Sequence, residues 1–404
     1  MEDLILLICR IFGMIAAGFG LWFGAISACF LLREKPLPEP DRPKRFAVLI
    51  PARNEESCIA GIIESLQKQD YPQELIDIYV IPNNCTDSTA AVALQAGANI
   101  MTVSARVNSK GMALSEAFSM LLKTNKHDAY CVFDADNEVN PMFLAEMNRY
   151  LSRFRAAKSR IFAKNSHESW VCACYETYFC NANLLLNRPR QRLGLSARLI
   201  GTGFSVRRDL MEELGGWHTN TLTEDADFYA MLASRGERVA FVPQAITYDE
   251  EPLTFRESII QRRRWMSGIM EVCRNRAGQL IRGIFSGTGG LRAADAFLQL
   301  TFAHIQAWLL PMFLLQLAAD PLVTLQTLPY SALSYYASTL LIGAVSLLWE
   351  RRMTRYKALC LLLYPLFIVS FLPLQTLSLF LPNKKWKPIR HSGVRLPEST
   401  IRSQ

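Results

Sequence analysis

The sequence predicts an α/β domain with a largely parallel sheet, flanked by membrane-spanning and interfacial helices. Three observations in the 404-residue chain support this fold class. Apolar runs typical of strands alternate with helical stretches over residues 46–133. Four long uncharged runs stand outside this region, one before it and three near the C-terminus. An arginine-rich amphipathic stretch, residues 253–291, precedes the last three runs and is typical of a helix lying in a membrane interface.

The four uncharged runs comprise residues 11–32, 296–319, 321–349 and 358–383. Each exceeds the ~20 residues that span a bilayer core, and buried helices of soluble proteins rarely run so long without a charge. The first run is longer than the apolar part of a signal peptide and follows an acidic start, which favours an uncleaved anchor. We therefore expect a multi-pass protein of the plasma membrane.

The distribution of charge places the middle of the chain in the cytoplasm. Positively charged flanks of a span stay on the cytoplasmic side, and the first run is followed by Arg33, Lys35, Arg42, Lys44 and Arg45. Because basic residues lie beside apolar runs, the net charge of +8 indicates a lipid bilayer and an anionic small substrate, not nucleic acid. The ten cysteines have no paired metal-ligand spacing and are expected to be reduced thiols.

The C-terminal tail gives two opposing topological signals. Three full crossings after a cytoplasmic domain would put the tail outside, whereas positive charge favours the cytoplasm. Pro365 and Pro373 lie in the last run and could break it into a re-entrant pair. We therefore favour a cytoplasmic tail near the active site. The basic tail residues are Lys384, Lys385, Lys387, Arg390 and Arg395.

The predicted domain alternates strands and helices. Strands are expected at residues 46–50, 76–81, 99–104 and 129–133, with helices at 55–69 and 111–123. This alternation is typical of a nucleotide-binding domain, in which ligands bind at the carboxyl ends of the strands. Polar clusters follow three of the strands, and we expect them to converge on one crevice. The clusters are residues 51–55, 82–87 and 134–136.

Two acidic motifs have both a chemical and a structural interpretation. Asp134 and Asp136 directly follow an apolar strand, where two carboxylates can bind a divalent cation and a nucleotide ribose. Such a pair also arises easily by chance. Thr223, Glu224 and Asp225 precede an apolar helical stretch, where a threonine followed by acids is equally typical of a helix cap.

A third motif, Gln261-x-x-Arg264-Trp265, is rarer because the chain has only 7 tryptophans. Alone, it could be an interfacial tryptophan with snorkelling arginines. The order of the three motifs, however, resembles the family 2 membrane glycosyltransferases, which include cellulose, chitin, hyaluronan and poly-N-acetylglucosamine synthases. Five shorter segments also resemble this family: residues 51–55, 110–111, 201–203, 215–217 and 386–388.

The resemblance implies an α/β GT-A nucleotide-sugar-binding domain with flanking transmembrane and interfacial helices, and Mg²⁺ or Mn²⁺ as cofactor. In the nucleotide-sugar site, Arg53 and Glu55 would lie near the base and ribose, and Lys110 near the diphosphate. Asp134 would hold the nucleotide and Asp136 the metal. Pro51, in the same segment as Arg53, belongs to this predicted site.

The resemblance also implies an inverting reaction. Asp225, with Glu224 beside it, would be the general base that takes a proton from the acceptor hydroxyl. Gln261 and Arg264 would contact the diphosphate or the acceptor, and Trp265 would stack on the acceptor sugar. Gly203 is expected to lie with these acceptor and diphosphate residues.

One position departs from the family pattern. Many relatives have an aspartate after the second strand, where this chain has Asn83. An amide can still donate to or accept from a pyrimidine. The resemblance therefore implies a UDP-sugar donor, with Asn83 in the nucleotide-sugar site.

Three functions follow as hypotheses. The first is a processive synthase that adds a hexose or N-acetylhexosamine to a β-linked polysaccharide with coupled secretion. The second is a single-transfer glycolipid synthase, similar to ceramide or diacylglycerol glucosyltransferases. The third is a membrane scaffold or transporter that binds a nucleotide sugar without turnover, which the complete set of carboxylates disfavours. Four spans are few for a channel, which favours a homo-oligomer or a partner protein.

The predicted domain boundaries follow the composition. Residues 1–35 form the N-terminal anchor, 36–252 the cytoplasmic GT-A domain, and 253–294 the amphipathic interfacial helices. Residues 295–383 form the C-terminal transmembrane region and 384–404 the basic tail.

Overall fold

The computed structural model describes residues 2–33, 37, 39–40, 42–219, 221–383 and 392–396. Lys35, predicted to flank the first span, and residues 384–390, which include the family match at Trp386, lie outside the described residues. So does most of the predicted basic tail, of which Arg395 is described.

In the described part of the chain, eight strands form one sheet around which the domain is built. They are β1 (Phe46–Ala52), β2 (Ile76–Pro82), β3 (Asn99–Ile100), β4 (Ala129–Val132), β5 (Glu138–Val139), β6 (Ala156–Ala163), β7 (Phe204–Arg207) and β8 (Val239–Asp249). The strand order is β3-β2-β1-β4-β7-β6-β8-β5. The strands predicted from residues 46, 76 and 129 are confirmed, whereas the strand predicted at 99–104 has only two residues.

The sheet is mixed, not largely parallel as predicted. Strands β3, β2, β1 and β4 are parallel, but β7 is antiparallel to both β4 and β6. The chain reverses at Gly203, which has a φ of +64° and donates its backbone N–H to the Val132 carbonyl at 2.9 Å. A side chain there would meet Ser159 Oγ at 2.3 Å and Thr247 Oγ1 at 2.4 Å, so the reversal depends on glycine.

Helices cover both faces of this sheet. Successive residues of β1 point to opposite faces, and both sets are buried, which explains why this strand is a continuous apolar run. The first predicted helix begins at Ile59 and not at residue 55, because the Glu55 carbonyl accepts the backbone N–H of Cys58 in a preceding turn. The helices of this part are α2 (Ile59–Gln67), α3 (Thr89–Gln95), α4 (Lys110–Leu121), α5 (Phe143–Leu151), α6 (Trp170–Asn181), α7 (Arg188–Leu193), α8 (Arg208–Glu213) and α9 (Glu224–Ser234).

The predicted interfacial helices are one continuous helix, α10 (Phe255–Phe285). It begins with a capping box, in which Thr254 Oγ1 accepts the Glu257 N–H at 3.3 Å and the Glu257 carboxylate accepts the Thr254 N–H at 3.3 Å. Much of its apolar surface is buried against the protein. At Gly268 the helix passes so close to Thr223 that a side chain would meet it at 2.5 Å.

Among the described residues, four helical segments are long and apolar enough to cross a membrane. Three are α1 (Glu2–Ala28), α11 (Gly290–Ala319) and α12 (Pro321–Trp349), each continuous. The fourth, residues 355–380, is divided into α13 (Arg355–Cys360), α14 (Tyr364–Val369) and α15 (Phe371–Phe380). Pro365 lies in the first turn of α14, whereas Pro373 lies inside α15, and the re-entrant pair stays a prediction.

Candidate active site

Lys110 is the centre of a charged cluster at the carboxyl ends of the parallel strands. It is the first residue of α4, and its Nζ donates to Asp134 Oδ1 and to the Gly201 carbonyl, both at 2.6 Å. Glu224 Oε1 lies 3.4 Å away. Burial alone would lower the pKa of Lys110, but Asp134 and Glu224 outweigh it and the pKa is raised. The lysine is therefore a fixed positive charge among carboxylates.

Asp225 is linked to the same cluster by a hydrogen bond from the backbone of Gly201. Its Oδ2 accepts the Gly201 N–H at 2.6 Å, which orients the carboxylate. Burial raises the pKa of the adjacent Glu224 to about 7, Lys110 opposes this rise, and Asp225 adds to it. We call Lys110, Asp134, Gly201, Glu224 and Asp225 the Lys110 cluster. It brings together two predicted motifs that are separated by 89 residues in the sequence.

The two aspartates after β4 are held differently. The Asp134 N–H donates to Thr202 Oγ1 at 3.0 Å and to Asn137 Oδ1 at 3.2 Å, which fixes the turn. Asp136 is buried, with 5% exposure. Its carbonyl accepts a 2.7 Å hydrogen bond from Lys164. Asn137, Thr202 and Lys164 were not predicted as site residues, although Thr202 lies inside the 201–203 match.

Asn83 connects the second polar cluster to α4. Its Nδ2 donates to the Ser109 carbonyl at 3.4 Å, next to Lys110. Its Oδ1 is buried and has no hydrogen-bond partner within the described part of the chain. Because an unsatisfied buried acceptor is costly, this oxygen is available to a ligand N–H.

The segment at the end of β1 lies beside Asn83. Pro51 pairs with Ile81 within the sheet, and the Asn83 N–H donates to the Ala52 carbonyl at 2.8 Å. Arg53 and Glu55 follow in the turn, where the Glu55 N–H donates to Thr89 Oγ1 at 2.9 Å. The predicted nucleotide-sugar residues therefore lie along adjoining strand ends.

The third motif lies on α10, one turn before Gly268. Trp265 is half-buried and makes an edge contact with Tyr175, with ring centroids 6.0 Å apart. Gln261 Oε1 is buried without a hydrogen-bond partner in the described ranges. Since Gly268 contacts Thr223, the structure brings this motif close to the Lys110 cluster.

Gly203 does not join the predicted acceptor residues. Its neighbours are Ser159 and Thr247 inside the sheet, so the structure shows a packing position. The pattern 201–203 pointed to the right segment, but the residues that reach the cluster are Gly201 and Thr202.

With the site defined, its relatives can be identified. Residues 43–268, more than half of the chain, match the family model described as Glycosyltransferase like family 2. The chain belongs to glycosyltransferase family 2. All three motifs and the Lys110 cluster lie within the matched residues of this family 2 chain.

Curated relatives match part of the family 2 chain. The Bacillus subtilis protein named "Probable glycosyltransferase YdaM" is 28% identical over 232 residues, covering 55% of each chain. A beta-monoglucosyldiacylglycerol synthase of Nostoc is 26% identical over 230 residues, covering 55% of this chain and 48% of the relative. The cellulose synthase catalytic subunit of Pseudomonas fluorescens is 25% identical over 292 residues, covering 68% and 38%. The chain thus spans about half or less of the length of these relatives.

A solved structure supports the fold of the family 2 chain. The mannosyltransferase PcManGT from Pyrobaculum calidifontis, in complex with GDP-Man and Mn²⁺, has a TM-score of 0.63 at 16% identity. The match covers 95% of this chain and all of that chain. The predicted GT-A fold with additional apolar helices is confirmed.

Lys158 is a buried charge in this family 2 chain that the sequence analysis missed. It lies on β6 opposite Phe204, with 0% exposure, and its Nζ donates to the Ser159 carbonyl at 3.0 Å. Burial lowers the pKa of Lys158 to about 7, although the charges of Asp225 and Asp249 act in the opposite direction.

The substitution Lys158→Met is expected to stabilise the protein most at low pH. The unfolded chain keeps the proton of Lys158 up to about pH 10.5, whereas the folded chain loses it near pH 7. The loss of folding free energy caused by the buried charge therefore shrinks as the pH rises from about 7 to about 10.5. Below pH 7 the buried charge lowers the free energy of unfolding by about 5 kcal/mol, at 1.36 kcal/mol per pKa unit. Melting temperatures at pH 6 and pH 9 would measure the effect. An equal rise in melting temperature at pH 6 and pH 9 would contradict the prediction. The control is Lys123→Met, at an exposed lysine.

Proposed function

We propose that the chain is an inverting, metal-assisted glycosyltransferase that transfers a sugar from a nucleotide donor to an acceptor at the membrane surface. The observation that supports this most is the Lys110 cluster. Within it a fixed cation, an aspartate after a parallel strand and the Asp225 carboxylate converge from three separate segments.

Asp225 is the proposed general base. Its carboxylate is held by the Gly201 N–H, so one oxygen is oriented while the other can take a proton from the acceptor hydroxyl. Attack from the face opposite the leaving group inverts the anomeric carbon. Lys110, at the centre of the cluster and paired with Asp134, supplies a positive charge that favours the departing diphosphate.

The residues present fit a divalent cation that the donor itself helps to hold. Asp134 and Asp136 supply carboxylate oxygens, the ligands that Mg²⁺ and Mn²⁺ prefer. Among the described residues, no three acidic, histidine or cysteine side chains form a complete metal site. Two carboxylates plus substrate phosphates are the arrangement typical of Mg²⁺. When bound, the cation supplies electrostatic stabilisation of the leaving diphosphate.

The proposed donor is a UDP-sugar. The buried Asn83 Oδ1 is placed to accept the N–H of a uracil ring, and Arg53 and Glu55 lie at the adjoining strand end. A guanine ring also has an N–H that this oxygen could accept, and the Pyrobaculum mannosyltransferase was solved with GDP-Man. The donor panel below separates the two bases.

The proposed acceptor is a growing β-linked polysaccharide. The half-buried Trp265 supplies an aromatic side chain on α10, the helix that also lies against Thr223, the residue before Glu224 of the Lys110 cluster. A glycolipid is the second candidate, because in the described part of the chain three continuous apolar helices, α1, α11 and α12, lead away from the domain. Secretion of a polymer through them would need a homo-oligomer or a partner protein.

The test is to incubate the purified protein in nanodiscs with Mg²⁺ or Mn²⁺ and labelled nucleotide sugars, then to size the product. A high-molecular-weight product sensitive to a glycanase would support the synthase. A short, lipid-extractable product would support the glycolipid function. Absence of nucleoside diphosphate release with every donor would contradict the proposed activity.

Contacts between the apolar helices and the domain suggest a topology. Ser27 near the end of α1 donates to the Leu185 carbonyl at 3.0 Å, and Arg292 near the start of α11 donates to the Gly194 carbonyl at 3.1 Å. Glu350, after α12, pairs with Arg160 at 3.0 Å. Each of these helices therefore has one end at the domain, as expected for three crossings.

The fourth apolar segment contacts the domain and α10 along its length. Lys357 pairs with Glu176 at 3.1 Å, and Arg262 of α10 donates to Ser370 Oγ at 2.7 Å. Just beyond α15, the Asn383 N–H donates to Ser267 Oγ at 2.9 Å. Both ends of the segment thus lie on the domain side, which supports a segment that does not cross and a cytoplasmic tail.

A reporter fused to the C-terminus is expected to lie in the cytoplasm. Green fluorescent protein there should fluoresce, and alkaline phosphatase should be inactive. The matched control is a phosphatase fusion after Asp320, between α11 and α12, which should be active outside. An active phosphatase at the C-terminus would contradict three crossings.

A further inference from the structure

The described part of the C-terminal tail, residues 392–396, lies against the domain. We call it the C-terminal strap. The N–H and Oγ of Ser392 donate to Glu250 Oε1 at 2.5 and 2.7 Å, and the Leu396 N–H donates to both oxygens of Glu138 at 3.3 and 3.4 Å. Between them, Arg395 makes two contacts of 3.2 Å with Glu64. The strap thus donates hydrogen bonds to two acidic side chains of the domain.

These acidic side chains belong to a buried charge cluster. Glu138 and Glu250 are 3% and 4% exposed, and Lys164 between them is 7% exposed. Lys164 Nζ lies 3.8 Å from Glu138 and 3.5 Å from Glu250. Buried carboxylates are costly unless they are paired, and here the strap supplies hydrogen bonds while Lys164 supplies the opposite charge.

The same lysine reaches the proposed metal site. Lys164 Nζ donates to the carbonyl of Asp136 at 2.7 Å. One ammonium therefore connects the two carboxylates that hold the strap with the backbone of the aspartate after β4. A shift of Lys164 toward Glu138 or Glu250 would change its hydrogen bond to the Asp136 carbonyl.

We propose that Lys164 is a positioning residue that couples docking of the C-terminal strap to binding of the divalent cation and the nucleoside diphosphate. The inference rests on the proposed function, in which Asp136 holds the metal. Coupling of this kind is reciprocal: a docked strap strengthens cation binding, and bound cation and nucleotide strengthen docking.

Gly393 offers a substitution that undocks the strap without touching the charge cluster. Its φ is +71°, and a Cβ there would lie 2.4 Å from the Ser57 carbonyl oxygen. Gly393→Ala therefore cannot keep the docked position. The matched control is Gly287→Ala, whose φ of +75° is similar but which has no atom within 4 Å of the added Cβ.

The first measurement is hydrogen exchange of residues 392–396 in the full chain, with and without Mn²⁺ and UDP. In the unsubstituted protein we expect slower exchange when both are bound, by about 5-fold or more, a typical coupling factor. Gly393→Ala should exchange fast in both states and bind Mn²⁺ with UDP correspondingly more weakly by calorimetry. Gly287→Ala should behave as the unsubstituted protein.

The second measurement uses Lys164→Met, which removes the connection itself. The exchange of the strap should then no longer respond to Mn²⁺ and UDP, and adding Gly393→Ala should weaken binding no further. Mn²⁺ and UDP binding without any response of the strap in the unsubstituted protein would overturn the inference alone. Absence of Mn²⁺ and UDP binding altogether would overturn the proposed function and the inference with it. If Lys164→Met does not fold, Gly393→Ala alone decides.

Discussion

Replacing Asp225 with asparagine is expected to slow sugar transfer by about 10²- to 10⁴-fold, the usual contribution of a general base. Asparagine has nearly the same shape, and its amide oxygen can still accept the 2.6 Å hydrogen bond from Gly201. It cannot take a proton from the acceptor hydroxyl. Turnover should therefore fall while nucleoside diphosphate binding remains, which kinetics and calorimetry measure separately.

The control for this prediction is Asp209→Asn. Asp209 lies on α8, where it pairs with Arg207 at 2.7 Å on the exposed surface of the domain. The same chemical change there should leave turnover as it is. Unchanged turnover in Asp225→Asn would contradict the role of Asp225, and loss of nucleotide binding in that variant would indicate a structural role.

Two positions of the Lys110 cluster could be predicted because their local sequence signals are strong: Asp134 follows a buried strand, and Lys110 follows a helix-capping serine. The apolar run before Asp134 is buried on both faces of the sheet, so its length and end are readable from hydrophobicity. Lys110 follows Ser109, whose side chain caps α4 by accepting the Met112 N–H at 3.2 Å. Parallel strands place such ends at one edge, so convergence follows from topology.

The remaining features depend on contacts between distant segments, which local patterns do not reveal. The reversal at Gly203 fits between Ser159 and Thr247, each of which is 44 positions from the glycine in the sequence. Lys158 sits in an otherwise ordinary strand and gains its altered pKa only from burial. The roles of the motif residues followed from the family resemblance, whereas no family motif includes Lys164 or the C-terminal strap.

Breaking a buried ion pair between α7 and α11 is expected to give the largest loss of stability. The side chains of Arg190 and Asp295 have no exposed surface and are joined by hydrogen bonds of 2.8 and 2.9 Å. Asp295 also accepts hydrogen bonds from Trp22 of α1 at 3.1 Å and from Gln299 at 2.9 Å. This carboxylate therefore connects the nucleotide-sugar domain to two of the apolar helices.

Asp295→Ala should destabilise the protein by about 3–5 kcal/mol, because it leaves the Arg190 guanidinium buried without its counter-charge. The double variant Arg190→Met with Asp295→Leu removes both charges and should recover most of that loss, since apolar side chains of similar size can replace a buried pair. Asp209→Ala breaks an exposed pair and should cost less than about 1 kcal/mol. Thermal unfolding in one detergent compares the three. A double variant as unstable as Asp295→Ala would mean that the pair holds α1, α7 and α11 together through its hydrogen-bond geometry and not through charge balance.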